Sequence, residues 1–194
     1  MKFFKHLILI TKHRHQVIKN ASHLGIFFHS LRHDLSKYTY LEFNESYKRY
    51  QGNMSPVFVQ RKDNENYSTI AVHHTSRNKH HWEYYTDFYK GKVLVCNMPY
   101  KYCLEYVADT LAASKIYDKK NFNGQVVLKY FRNRVTNYLM TETTKRFIDW
   151  CLEEYALDGW KALNKKRTLA KYKELEETYP KVKEYQTLEI KEEN

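Results

Sequence analysis

A chain of 194 residues that is 42% hydrophobic and 16% aromatic holds enough apolar material for one self-sufficient core, so folding needs neither disulfides nor a structural metal. Only 5 Gly and 3 Pro exclude the many tight turns of a sandwich or barrel and favour an all-α fold. A formal charge of +11 attracts anions, whether phosphate esters, nucleic acid or anionic lipid. Cys96, Cys103 and Cys151 show no C-x-x-C or framework spacing, which predicts a reducing, cytoplasmic setting.

The first residues imitate a signal peptide, but the unbroken apolar run is only Leu7 to Ile10, and Lys12, His13, Arg14 and His15 follow directly. An amphipathic helix is expected instead, with Phe3, Leu7, Ile10, Val17, Ala21 and Leu24 on one face and a stop at Gly25. No stretch has the length of a membrane span. A second helical stretch carries Phe27, Phe28, Leu31 and Leu35, and Thr39-x-x-Glu42 reads as a capping box opening a third that ends near Gly52. Residues 53–67 lack an apolar period and read as a surface loop.

Ser68 is placed to cap a helix running through the His73 to His81 cluster, with Trp82, Tyr84, Tyr85 and Phe88 continuing apolar to Gly91. After the short run Val93-Leu94-Val95, Asn97 and Pro99 open a long helix bearing Tyr102, Tyr106, Asp109, Ala113 and Ile116 on one face. Two more helices are predicted near 124–138 and 142–157. From Lys161 the chain turns rich in Lys and Glu over a sparse stripe of Leu169, Tyr172, Leu175 and Tyr179. The expected organisation is a helical domain, 1–157, with a charged C-terminal helical extension, 158–194, whose last dozen or so residues fray.

The chemistry concentrates in histidine. All ten lie between His6 and His81, and neutral imidazole combined with carboxylate is the usual holder of a catalytic transition metal. Within Leu31-Arg32-His33-Asp34-Leu35-Ser36-Lys37, His33 and Asp34 project about 100° apart on a helix and can reach one ion together. Lys37, one turn on, is placed to neutralise a phosphate. His13 sits on the polar edge of the first helix's apolar arc, whereas His15 projects toward solvent. His74, Asn78 and His81 share a face if their helix is continuous. Asp109 interrupts a core-facing stripe, so something positive must meet it, either a metal or a cation such as Arg77 or Lys115.

Taken in order, His13, His33-Asp34, His74, His80 or His81, and Asp109 on a helical background resemble the HD superfamily of metal-dependent phosphohydrolases. His-Asp-Leu-Ser-Lys is similar to that superfamily's His-Asp-hydrophobic-Gly-Lys run, with Ser36 in the glycine position. The stretches His13 to Val17, His33 to Tyr38, Arg77 to Tyr84 and Asp109 to Tyr117 also look like an uncharacterised family of small bacterial and phage proteins. The HD resemblance implies an HD-like bundle in which His13, His33, Asp34 and Asp109 surround one divalent metal, with His74, His80 and His81 completing a second or gripping phosphate. Asp34 and Lys37 are then the catalytic residues, and Lys37, Arg77, Asn78 and Lys115 the substrate contacts. Histidine ligands favour Mn, Fe, Co, Ni or Zn, as one or two ions. The implied activity is hydrolysis of a nucleotide or other phosphorylated anion, as a phosphomonoesterase or phosphodiesterase. Two alternatives stay open. One is an HD-type di-iron oxygenase, of which inositol oxygenase is an example. The other is a basic module that binds nucleic acid without catalysis, its Tyr and Trp stacking on bases.

Overall fold

The computed structural model describes residues 2–52 and 54–185. Among them the fold is mostly helical, as expected, with one small sheet in addition. The helices are α1 (Lys2–His23), α2 (Phe27–Ser30), α3 (Tyr40–Lys48), α4 (Pro56–Asp63), α5 (Thr69–Thr75), α6 (Tyr100–Tyr117), α7 (Gly124–Val135), α8 (Glu142–Asp158) and α9 (Lys165–Thr178). The strands are β1 (Thr86–Tyr89), β2 (Lys92–Cys96) and β3 (Val182–Tyr185), antiparallel in the order β1-β2-β3.

The core forms around α6, whose Leu104, Val107, Ala108 and Leu111 are buried against Val17 and Ala21 of α1, Leu24 just after it, Phe131 of α7 and Phe147 and Ile148 of α8. This face is offset from the expected stripe. Tyr102, Tyr106, Asp109 and Ala113 sit at its border, only partly buried. Both stripes carry helical spacing, and a helix enclosed on more than one side reads as apolar on both.

The C-terminal helix is no loose appendage to this packing. Tyr172 and Leu175 of α9 belong to the same core, the Tyr172 hydroxyl donates to the Met98 carbonyl at 2.8 Å, and β3 pairs with β2 across the expected 157/158 boundary. Residues 182–185 are therefore ordered by that pairing, while the rest of the segment expected to fray lies outside the described residues.

Several local expectations are corrected. Residues 53–67 are not all loop, because Ser55-Pro56 starts the short helix α4 with proline in its first turn. Buried Gln60 ties that helix to the next, its Oε1 accepting from the Ser68 hydroxyl at 2.7 Å and from the Ile70 amide at 3.1 Å. Phe27, Phe28, Leu31 and Leu35 are exposed rather than core-facing, since α2 is a single turn followed by a bend. Thr39 does occupy the N-cap position of α3, yet its side chain makes no capping bond. Finally, the helix capped by Ser68, whose hydroxyl accepts from the Ala71 amide, ends at Thr75 instead of continuing to Gly91. Residues 86–96 form a hairpin whose two turn residues, Lys90 and Gly91, have φ of 50° and 72°, the positive pair that a type I′ turn requires.

Candidate metal centre

Asp34 lies at the middle of the candidate site. The chain bends after α2, and Asp34 adopts φ 53°, ψ 27°, a left-handed conformation that aspartate tolerates better than most residues. The pair His33-Asp34 therefore converges through this bend, not through a helix edge as expected. Arg14 of α1 clamps the bend by donating to the His33 carbonyl at 3.2 Å. His33 and Asp34 are each 1% exposed.

Around Asp34 the polar atoms fall into two sets. Asp34 Oδ2 lies 3.2 Å from His33 Nε2 and 3.8 Å from His13 Nε2, and Asp109 Oδ1 lies 2.8 Å from His13 Nε2 and 3.6 Å from His33 Nε2. Asp34 Oδ1 lies 3.3 Å from His74 Nε2 and 3.5 Å from His80 Nε2, with His81 completing the second set. Within each set the donor atoms lie within 4.8 Å of one another. Two donors about 2.1 Å from one ion are separated by about 3 Å at right angles and about 3.4 Å at the tetrahedral angle, so these spacings suit a shared cation.

The fit is tested by what these atoms lack. Nε2 of His13, His33, His80 and His81 and Oδ1 of Asp34 are buried without a hydrogen-bond partner. His13 Nε2 touches Asp109 Oδ1 without the alignment of a hydrogen bond. A cluster of orphaned buried acceptors is costly unless something positive meets them. One divalent cation in each set would meet them.

Two glutamates that the sequence reading did not select hold the imidazoles in place. Buried Glu105, one turn before Asp109 on α6, accepts from His33 Nδ1 at 2.8 Å. It also contacts His29 Nε2 at 2.9 Å and His80 Nδ1 at 3.4 Å. Buried Glu42 of α3, read as half of a capping box, instead accepts from His73 Nδ1 at 2.7 Å and His74 Nδ1 at 3.0 Å. An ionised carboxylate only accepts, so each bonded Nδ1 must carry the proton and the Nε2 lone pair is left for a ligand. His33, His80 and Glu105 also lie close enough to form a third ligand set. Since Glu105 engages their Nδ1 atoms while both Nε2 atoms remain orphaned, we read it as an orienting group.

The charges reinforce one another. Burial alone would raise the Asp34 carboxyl, but His33 and Lys37 hold it well below the ordinary carboxylate range. Burial would likewise raise Asp109, and His13 and His33 hold it down. Against burial, Asp34 keeps the His33 imidazole well above its usual value and raises His74, which favours on Nε2 a proton that a bound cation would have to displace. Burial and the neighbouring His80 push His81 well down, and burial lowers His13, which favours the neutral imidazole at both. The Lys37 ammonium pairs with Asp34 Oδ2 from the short 3-10 turn that follows.

The expected substrate contacts fare differently. Asn78 is buried and binds the chain together, donating to the His74 carbonyl and to the Ser36 hydroxyl at 2.8 Å each. Arg77 is exposed, with its guanidinium directed to the His73 carbonyl, and Lys115 is exposed over the Phe122 ring. None of the three lines the cleft of about 610 Å³ that opens beside His81 and Asp109, whose cations are Arg61 and Arg134. Arg61 sits on α4, within the stretch expected to be a surface loop. The partner expected for Asp109 from Arg77 or Lys115 is instead His13.

The chain belongs to DUF5662, a family of unknown function, whose model matches residues 2–188. Neither the curated proteins nor the solved structures contain a match.

Proposed function

We propose that this protein is a metal-dependent phosphohydrolase acting on a nucleotide or other phosphorylated anion, as a phosphomonoesterase or phosphodiesterase. The observation that carries the reading is the convergence of orphaned, buried Nε2 atoms on a carboxylate, Asp34, that belongs to both ligand sets. His13, His33, Asp34 and Asp109 would hold one ion, and Asp34, His74, His80 and His81 a second. Order and ligand types along the chain resemble the HD superfamily, which supports the same chemistry. Imidazole-rich donors favour Mn, Fe, Co, Ni or Zn. Bound there, such an ion supplies Lewis acidity toward a phosphoryl oxygen and acidifies water.

The chain's own residues supply the rest. In hydrolysis the oxygen of water bonds to phosphorus, the bond from phosphorus to the leaving oxygen breaks, and a proton from the water ends on the leaving group. Asp34, held ionised and common to both ligand sets, would orient that water where only the first set holds an ion, its Oδ1 then being left to accept. Lys37, adjacent to Asp34, offsets negative charge developing on the phosphoryl oxygens. The chain's three cysteines are free thiols, which suits the cytoplasmic setting we propose. No described helix is long and apolar enough to cross a membrane.

The test compares metal content of the wild type, His33→Ala and Asp34→Ala after purification, then assays phosphate release from a panel of esters with added Mn. Metal retained only by the wild type, together with released phosphate, is the expected result. Equal metal in all three proteins would remove the proposal. Retained iron with dioxygen uptake and no released phosphate would replace it by the oxygenase alternative.

A further inference from the structure

The cleft beside the cluster has walls that the hydrolytic reading does not use. It follows α6 from Asp109 to Tyr117, a span of about 12 Å at the helical rise. Its volume of about 610 Å³ is in the range of sites for drug-sized ligands and leaves most of the space to whatever the phosphate is attached to. Trp82, Tyr106, Tyr117, Tyr130 and Tyr138 line it. Trp82 and Tyr138 are stacked, with centroids 5.2 Å apart and planes 24° from parallel. At the α7 side the Arg134 guanidinium lies 5.1 Å from the centroid of the Tyr130 ring and donates to its hydroxyl at 2.8 Å, which extends a flat, cationic platform.

We propose that this cleft seats the aromatic ring of a phosphomonoester, a nucleobase or a phenol, with the ester phosphate directed to the His81 and Asp109 end. Aromatic walls stack on planar rings and bind every base through its π face, whereas they give a hydrated polyol few hydrogen bonds. The guanidinium-capped Tyr130 is the specificity element, because it lines the cleft from α7, a helix that supplies none of the candidate ligands. The proposal rests on the hydrolase reading for the position of the phosphate.

The test uses the Mn-loaded full-length protein with AMP, O-phosphotyrosine and glycerol 3-phosphate, measuring binding by calorimetry and phosphate release separately. Tyr130→Ala and Arg134→Gln change exposed positions of α7, so the core is untouched. The expected result is at least about tenfold tighter binding of an aromatic ester than of glycerol 3-phosphate, with that ratio reduced in both variants and glycerol 3-phosphate binding unchanged. Preference for AMP identifies a nucleobase, and preference for phosphotyrosine a phenol. Equal binding of all three esters would overturn the proposal, and phosphate released without ring preference would do so while leaving the hydrolase reading intact. Ring-dependent binding with no phosphate released from any ester would instead sink the hydrolase reading and keep the ring seat.

Discussion

Glu105 contacts three imidazoles with one carboxylate, and it is the residue on which the orientation of His33 depends most directly. Burial alone would raise its carboxyl, but these histidines hold it well below the usual carboxylate range and so keep it ionised. Replacing Glu105 by Gln keeps the volume but lets an amide nitrogen face Nδ1, so the tautomer of His33 is no longer fixed. The expected outcome is metal affinity lower by about 10- to 100-fold with the helical fold retained, read by competition against a chromogenic chelator. Unaltered affinity would show that Glu105 does not orient the ligands. Of this site, His13 and Asp109 were legible because each breaks a local pattern, a histidine at the edge of an apolar arc and a carboxylate on a core-facing stripe, and His33-Asp34 because imidazole and carboxylate stand side by side in the histidine-rich part of the chain. Glu105 carries the second signal too, one turn from Asp109, but Tyr102 and Tyr106 drew the stripe past it. Glu42 was hidden by a competing local explanation, since a glutamate three residues after a threonine also fits a cap. Only the fold can decide between those uses.

At the level of elements, close approach and burial set the predictions. A methyl group added at Gly124 would stand 2.6 Å from Ala156 Cα and 3.1 Å from its Cβ, where α7 starts against α8. Because the obstacle is backbone, Gly124→Ala should lower stability by about 1–3 kcal/mol, seen as a lower urea midpoint, and no change would mean that the helices separate freely. His6 of α1 donates to or accepts from the Ser46 hydroxyl of α3 at 2.8 Å, and burial, aided by Lys37, lowers its imidazole to about 4. The folded state thus keeps His6 neutral while the unfolded chain takes up a proton near 6.5. Its contribution is whole above pH 6.5 and is lost as pH falls toward 4. In His6→Gln, which retains a hydrogen-bonding group without that titration, the drop in urea midpoint between pH 7 and pH 4.5 should be smaller than in the wild type. An identical drop would rule out His6 as the titrating link. The long helices α1, α6, α7 and α8 were legible from spacing alone, whereas α4 and the hairpin were not. Few turns or alternations fit within eight residues or fewer, and the Lys90-Gly91 turn signal was subordinated to the aromatic run before it.

For the molecule as a whole, the candidate ligands come from five separate pieces of chain: His13 on α1, His33-Asp34 at the bend, His74 on α5, His80-His81 in the following loop and Asp109 on α6. The helical class was legible from glycine and proline scarcity, but the joining of these pieces was not, because it depends on how α1 and α6 pack. The unfolded chain would not hold these groups together, so a cation that binds here selects the folded form, by about 2.7 kcal/mol when its free concentration is a hundred times Kd. Thermal scans across a Mn series should therefore show the unfolding temperature climbing with free ion, and Asp34→Ala should abolish the slope. The melting point of this protein would then report ion supply, with starvation for the metal loosening the fold before any catalytic group is lost.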